Sequence, residues 1–189
     1  MRSGQNQYPP MAGVAALREA IAEKVLDLYG LACDADTEIT VTAGATEALF
    51  CAIAAVVHAG DEVIVLDPAY DSYDPVIRLQ GAVPVHVSLM APAYRIDWDR
   101  IEAAITANTR LLILNSPHNP TGMVMDESDI AALSALCAKY DIYLICDEVY
   151  EHMVFDQAKH LSLCGYAELY ARSFVISSFG KTYHVTVSY

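Results

Sequence analysis

The sequence predicts a three-layer α/β fold, in which helices cover both faces of a mostly parallel sheet. Short apolar runs rich in Val, Ile and Leu alternate along the chain with longer segments of helical periodicity. The runs at residues 62–66 and 111–114 are almost wholly apolar, which is typical of strands buried on both faces. With 189 residues, of which 54% are hydrophobic and 19% charged, the chain is large enough for one domain with its own core.

The first half of the chain is predicted to hold two helices and three strands. Apolar residues recur on one face of residues 14–29, which predicts a helix that ends at Gly30. A short β-rich run predicts a first strand at residues 39–42, and Gly44 opens the turn into a helix at residues 46–58. The second and third predicted strands are residues 62–66 and 83–89.

The second half continues the same alternation. A helix is predicted at residues 97–107, and Asp126 can cap a further helix that has Ile130 and Leu133 on its apolar face. The fourth, fifth and sixth predicted strands are residues 111–114, 142–146 and 173–177. Because the pattern contains no repeat and no linker, we interpret residues 1–189 as a single domain.

Charge and composition argue against several classes of protein. The formal charge is −13 and the 11 basic residues form no cluster, so binding to nucleic acid is not expected. The longest apolar run, residues 48–57, is too short to cross a bilayer, and the N-terminus has no secretory signal pattern. The five cysteines are odd in number and lack Cys-x-x-Cys spacing, which predicts free thiols, a reducing cytoplasmic location and no metal site.

Candidate functional residues follow the predicted strands, because ligands of open α/β sheets bind beyond the carboxyl ends of the strands. After the first strand, small residues lead into a helix at Ala45 and Thr46, whose free N–H groups suit a phosphate. The helix dipole alone would contribute about 1 kcal/mol, and an ordinary helix capped by Thr46 is the alternative. After the second strand, Tyr70 could stack on a flat heteroaromatic ring, although a surface tyrosine is the more common explanation.

The segments after the fourth and fifth strands are more specific. Two prolines in residues 116–122 fix the backbone around Asn119, and such a tight turn favours a cis bond before one of them. A plain proline-rich turn is the alternative. Asp147 directly follows an apolar strand, so we expect a partly desolvated carboxylate with a cationic or hydrogen-bonding partner. A protonated pyridine nitrogen would be such a partner, and a helix cap or a structural ion pair is the simpler role.

Lys181 follows the sixth predicted strand, and Gly180 before it can place it on a tight turn. A primary amine in this position can form a Schiff base with an aldehyde cofactor. An isolated lysine in a loop is more often simply solvated. The agreement of Lys181 with the other segments favours the functional interpretation.

Together these segments resemble the pyridoxal-phosphate-dependent aminotransferases of fold type I, class I/II, and most of all the branch with methionine and kynurenine aminotransferases. The resemblance implies the large, cofactor-binding domain of that fold, incomplete at both ends, with pyridoxal 5'-phosphate as cofactor. The matching segments are residues 6–10, 43–50, 67–73, 116–122, 147–150 and 177–186.

The resemblance also implies which residues act on the cofactor ring. Lys181 would carry the Schiff base and shuttle the proton between the substrate and the cofactor. Asp147 would pair with the pyridine nitrogen and keep it protonated, so that the ring withdraws electrons. Asn119 and Tyr150 would hydrogen-bond the phenolic oxygen, and Tyr70 would stack on the ring.

A second set of residues would hold the cofactor phosphate. The resemblance assigns this role to the backbone at Ala45 and Thr46 together with the hydroxyl of Ser178. Tyr8 matches a tyrosine that reaches the phosphate of the neighbouring subunit, which makes a homodimer the expected assembly.

The chain departs from the family pattern after Thr186. Relatives continue with a glycine-tryptophan-basic pattern, in which a basic residue binds the phosphate and a strand enters the sheet between the first and sixth predicted strands. They also have a segment that covers the active site and a small domain whose arginine binds the substrate carboxylate. We therefore expect cofactor chemistry here, but not competent transfer of an amino group between an amino acid and a 2-oxo acid by this chain alone.

Two other functions remain open from the sequence. A pyridoxal-phosphate-dependent β-lyase of the same fold shares nearly all of these motifs. A non-catalytic remnant that binds the cofactor or forms dimers would also retain them. A dinucleotide-binding domain is not favoured, because no Gly-x-Gly-x-x-Gly pattern follows the first predicted strand.

Overall fold

A single parallel sheet of five strands organises the chain. The computed structural model describes residues 7–185. The strands are β1 (Glu62–Asp67), β2 (Val83–Ser88), β3 (Thr109–Asn115), β4 (Tyr143–Asp147) and β5 (Ser173–Ile176). They lie in the order β2-β1-β3-β4-β5, and all four neighbouring pairs are parallel. Five of the six predicted strands are thus confirmed to within two residues at each end.

Helices of very different length connect the strands. The helices are α1 (Ala15–Tyr29), α2 (Ala45–Val56), α3 (Tyr73–Leu79), α4 (Trp98–Ala104), α5 (Glu127–Lys139), α6 (Ala167–Tyr170) and α7 (Phe179–Tyr183), with a 3₁₀ turn at Leu163–Gly165. The four predicted helices are present as α1, α2, α4 and α5. The sequence did not reveal α3, which tolerates Pro75 because a proline in the first helical turn removes no internal hydrogen bond.

The strand side chains alternate between two cores, one on each face of the sheet. One core packs against α4, α5 and α6, and its strand residues include Ile64, Leu66, Leu112, Leu114, Leu144 and Cys146. The other packs against α2 and α3, and its strand residues include Val63, Val65, Leu111, Ile113, Ile145 and Ile176. Each fully buried Leu or Ile contributes about 2 kcal/mol relative to an exposed one. This two-sided burial confirms the predicted three-layer α/β fold.

The ends of two predicted helices follow the sequence signals. Asp126 caps α5: its Oδ1 accepts hydrogen bonds from the backbone N–H groups of Ser128 at 2.9 Å and Asp129 at 3.2 Å. Asp129 Oδ2 in turn accepts from the Asp126 N–H at 3.0 Å, which completes a capping box. At the end of α1, Gly30 has a φ of 74°, a left-handed conformation that glycine adopts readily.

The predicted strand at residues 39–42 is not a strand in the structure. The Val41 N–H donates to the Ala12 carbonyl at 3.0 Å, and no ladder forms between this segment and the sheet. A cavity of about 1110 Å³ has residues 39–42 on one side and β5 on the other. A β-type sequence becomes a strand only where a neighbouring strand bonds to its backbone. Within residues 7–185, β5 pairs with β4 alone, so it forms the edge of the described sheet.

The same cavity borders α1, whose apolar face is largely unburied. The sequence predicted apolar residues on one face of this helix, but Arg18 is its only buried residue within the described chain. Ile21 and Val25 line the cavity instead.

No helix of residues 7–185 combines the length and the apolar character needed to cross a membrane.

Candidate active site

The carboxyl ends of β3, β4 and β5 are level with one another. In the register of the sheet, Asn115 pairs with Asp147, and Asp147 pairs with Ile176. The segments that follow these strands therefore begin at one edge of the sheet, where they bring the predicted residues Asn119 and Tyr150 and the lysine-bearing helix α7 to the same side.

Asp147 is the most deeply buried of the predicted site residues, with 4% of its surface exposed. Its Oδ2 accepts a hydrogen bond from the Tyr73 hydroxyl at 2.7 Å, and its Oδ1 accepts one from the Val149 N–H at 3.3 Å. Burial raises the pKa of Asp147, and although these two donors and the charge of Lys181 oppose the rise, the net shift is upward. The expected hydrogen-bonding partner is thus Tyr73, which sequence analysis did not assign.

The loop after β3 is held by a residue that sequence analysis also missed. The Asn115 side chain donates through Nδ2 to the Asp147 carbonyl at 2.8 Å and accepts through Oδ1 from the Asn119 N–H at 2.7 Å. The bonds before Pro117 and Pro120 are both cis, whereas the sequence favoured a cis bond before one of them. Through these two hydrogen bonds, the Asn115 side-chain amide ties the backbone at Asn119 to the end of β4. Its position at the last residue of an apolar strand was the available sequence signal.

Lys181 lies in α7, a helix of little more than one turn, rather than on the tight turn that Gly180 suggested. Its side chain is exposed, and Nζ lies 5.4 Å from the centroid of the Tyr150 ring. At this distance the ammonium group interacts favourably with the face of the ring. The structure thus brings together Lys181 and Tyr150, which are 31 positions apart in the sequence.

The predicted phosphate-binding residues lie around the start of α2. Gly44, with a φ of 101°, occupies the N-cap position, so Thr46 is not the helix cap that the simpler explanation required. No side chain of the described residues caps the helix. Ala45 and Ser178 both line the cavity of about 1110 Å³, whereas Thr46 is exposed outside its lining. The first-turn N–H groups of α2, which lack a helical partner, and the Ser178 hydroxyl are therefore candidate donors for an anion.

The two remaining predicted residues have different surroundings. The Tyr70 ring meets the Tyr73 ring edge to face, with centroids 5.7 Å apart and an interplanar angle of 80°. Tyr8 is 98% exposed, so its side chain is almost fully open to solvent. Its expected role in a neighbouring subunit stays a prediction.

A buried carboxylate that sequence analysis overlooked supports the turn before Lys181. Glu151 is 4% exposed and accepts hydrogen bonds from Lys24 Nζ at 2.6 Å, from the Tyr29 hydroxyl at 2.5 Å and from the Ser177 hydroxyl. Burial raises the pKa of Glu151, but these three partners lower it by more than burial raises it, so the net shift is downward. The carboxylate stays charged and connects α1 to the residue that precedes Ser178.

Glu148 forms a second buried pair on the same segment. Its Oε2 lies 2.8 Å from His160 Nε2, and its Oε1 accepts from the Leu163 N–H at 3.0 Å. The sequence signal for both carboxylates was their density, since three acidic residues fall within residues 147–151. Among the described residues, no cluster of three His, Cys, Asp or Glu side chains is arranged to hold a metal ion.

Comparison with known proteins identifies the family of this site. The model of the family described as aminotransferase class I and II matches residues 1–186. The chain therefore belongs to the class I and II aminotransferases, which are pyridoxal-phosphate-dependent enzymes.

Individual relatives agree with this assignment. The chain is 53% identical over 183 residues to a methionine aminotransferase of Escherichia coli K12, covering 97% of this chain and 47% of the relative. It is 38% identical to the human kynurenine–oxoglutarate transaminase 3, covering 96% of this chain and 42% of that protein. The chain thus spans about half the length of the curated relatives it matches.

Solved structures give the same result. An Escherichia coli structure with a reported methionine aminotransferase function has a TM-score of 0.95 and 52% identity, covering 98% of this chain and 49% of that one. A Mycobacterium tuberculosis N-succinyldiaminopimelate aminotransferase has a TM-score of 0.91 and 44% identity, and the match covers 95% of this chain and 47% of that one.

Proposed function

We propose that this chain binds pyridoxal 5'-phosphate through Lys181 and supplies the cofactor-binding half of a transaminase. The reaction would transfer an amino group between an amino acid and a 2-oxo acid. The observation that carries this proposal is the convergence of Asp147, Asn119, Tyr150 and the helix of Lys181 beyond the carboxyl ends of three adjacent strands.

The residues present fit the chemical groups of this cofactor. The buried Asp147 carboxylate has two neutral hydrogen-bond donors, and burial works against its charge, so a cationic pyridine nitrogen would stabilise it. Donors at the first turn of α2 and at Ser178 suit a phosphate dianion. Lys181 supplies an exposed amine, and Tyr150 beneath it supplies a hydroxyl.

When bound, the cofactor would supply an aldehyde that accepts an amine and a ring that withdraws electrons. Asp147 would keep the proton on the ring nitrogen, and Tyr70 would lie against the ring face. Asn119 and Tyr150 would orient the ring through its phenolic oxygen. Lys181 Nζ would hold the aldehyde carbon and, when released, would take and return the proton of the substrate α-carbon.

A specific observation favours a second candidate, cofactor binding without turnover. The cavity of about 1110 Å³ beside Ser178 leaves α7 open on one side, and the Lys181 side chain is exposed. Catalysis needs substrate to be oriented and water to be excluded.

Assembly and location are further parts of the proposal. A homodimer is supported by the exposed Tyr8, whose counterpart in the family reaches the neighbouring subunit. A cytoplasmic location is supported by the cysteines, all five of which are free thiols in the structure.

The decisive experiment adds pyridoxal phosphate to the purified chain and records its visible absorption. We expect the band that appears when a lysine amine captures the aldehyde, and we expect Lys181→Ala to abolish it. Lys139→Ala is the matched control, because Lys139 is exposed at the end of α5 and pairs with Glu102. A band that is absent, or that survives Lys181→Ala, would show that the assignment of Lys181 is wrong.

Turnover is measured separately with methionine or kynurenine as the donor and a 2-oxo acid as the acceptor. New keto acid would support the transaminase proposal for this chain. A bound cofactor without keto acid would support the second candidate, in which the chain binds the cofactor but does not turn over.

A further inference from the structure

Tyr73 contacts two of the predicted site residues by two different interactions. Its hydroxyl donates to Asp147 Oδ2 at 2.7 Å, and its ring meets the Tyr70 ring edge to face with centroids 5.7 Å apart. Its N–H also bonds to the Tyr70 carbonyl at 3.2 Å. Tyr73 is only 3% exposed, and it lies at the first position of α3.

The chemistry of the pair fixes the direction of its hydrogen bond. Burial, and after it the neighbouring Asp147 carboxylate, strongly raise the pKa of Tyr73, so the phenol keeps its proton and acts as the donor. The other titratable groups that act on the pair are Glu148, Cys146 and Lys181, together with Tyr70. Among these groups only Lys181 is a cation.

We propose that Tyr73 is a positioning residue, which holds the Asp147 carboxylate in one orientation and in its charged form and sets the Tyr70 ring beside it. The role extends the proposed function, because the carboxylate is the group that would face the pyridine nitrogen. Tyr73 itself touches no reacting atom in this scheme.

The Tyr73 hydroxyl donates the shorter of the two hydrogen bonds to the Asp147 carboxylate. Without the Tyr73 hydroxyl, the described contacts leave the carboxylate with the Val149 N–H at 3.3 Å, a long bond. A buried carboxylate that loses a donor shifts toward its protonated form. A protonated Asp147 could not stabilise a proton on the pyridine nitrogen.

The test is a titration of the chain without cofactor. Aspartate labelled with ¹³C at the carboxyl carbon reports the ionisation of Asp147, and Asp147→Asn identifies its resonance. In Tyr73→Phe, which keeps the ring but removes the hydroxyl, we expect the Asp147 resonance to titrate at higher pH than in the unsubstituted chain. An unchanged titration would overturn the inference.

Tyr140→Phe is the matched control. It also removes a tyrosine hydroxyl from a carboxylate, since Tyr140 donates to Glu102 Oε1 at 3.1 Å, but it lies before β4 while Asp147 lies at its end. We expect it to leave the Asp147 titration unchanged. A role that is merely structural would lower the thermal midpoint of Tyr73→Phe without moving this titration.

A second measurement needs no substitution of Tyr73. In the unsubstituted chain, exchange of the Tyr73 hydroxyl proton for deuterium should shift the Asp147 carboxyl resonance, because the two groups share that proton. The absence of an isotope shift would contradict the hydrogen bond even if Tyr73→Phe failed to fold.

Cofactor binding then separates this inference from the proposed function. If the unsubstituted chain binds pyridoxal phosphate, we expect Tyr73→Phe to raise the dissociation constant at least about tenfold, the lower end of the effect of losing a hydrogen bond to a charged group. If the chain binds no cofactor, the proposed function fails, while the titration without cofactor still decides the Tyr73–Asp147 interaction.

Discussion

At the scale of single residues, the candidate site contains buried carboxylates that accept hydrogen bonds from different kinds of donor. Asp147 has neutral donors and a raised pKa, which leaves it available for a cationic group. Glu151 has a lysine, a tyrosine and a serine, and its pKa is lowered. The first arrangement is typical of a binding residue and the second of a structural connection between elements.

This difference predicts a large effect of Glu151→Ala on stability. The substitution leaves Lys24 without its carboxylate partner and leaves the hydroxyls of Tyr29 and Ser177 without an acceptor. We expect the free energy of unfolding to fall by about 3 kcal/mol, as when one partner of a buried ion pair is removed. Urea denaturation measures the change.

Glu102→Ala is the control for this prediction, because Glu102 pairs with Lys139 at the surface, where ion pairs contribute little. Similar losses of stability in the two variants would contradict the role assigned to Glu151.

At the scale of elements, His86 connects three of them near the carboxyl end of β1. His86 lies on β2, its Nδ1 is 3.0 Å from Asp67 Oδ1 at the end of β1, and its Nε2 is 3.3 Å from Asp74 Oδ2 in α3. Partial burial lowers the pKa of His86, but the two carboxylates raise it more, so the net shift is upward from 6.5. The protonated form is therefore stabilised in the folded state.

The raised pKa predicts a pH dependence with a definite sign. The stabilisation by His86 is fully present below pH 6.5 and is lost as the pH rises through the higher pKa of the folded state. Relative to His86→Gln, the unsubstituted chain should lose thermal stability as the pH increases above 6.5.

The measurement compares thermal midpoints across that range, with His58→Gln as the control because His58 is also a histidine near an aspartate. Parallel pH profiles for the unsubstituted chain and His86→Gln would show that His86 does not contribute in this way.

At the scale of the whole molecule, negative charge dominates the surface. The chain has 24 acidic and 11 basic residues, for a formal charge of −13. Most of the acidic side chains are exposed, so their mutual repulsion opposes compaction and is screened by salt.

Salt should therefore stabilise the folded chain. We expect the thermal midpoint to rise when the ionic strength increases from about 0.01 M to about 0.15 M, where the Debye length shortens from about 30 Å to about 8 Å. Scanning calorimetry at constant pH measures the change, and sucrose at matched osmolality controls for preferential exclusion. A midpoint that falls with salt would mean that favourable ion pairs outweigh the repulsion.

The sequence predicted those parts of the site that follow directly from strand ends. Asp147 was recognised because an apolar strand precedes it, and Asn119 because two prolines flank it. Tyr73 was not recognised as the partner of Asp147, because the two residues are 74 positions apart and α3 was not predicted. Glu151 was missed for the same reason, because its contacts with Lys24 and Tyr29 span more than 120 positions.

The sequence by itself determined the α/β fold, the chain order of five strands and four helices, and the family to which the chain belongs, because these depend on local periodicity and on short motifs. Only the tertiary structure decided which elements became strands and which donors reached the buried carboxylates. Residues 39–42 have a strand-like sequence, but within residues 7–185 no strand pairs with them, and a β-ladder requires two strands. The Tyr73–Asp147 hydrogen bond likewise exists only because the folded sheet brings the start of α3 to the end of β4.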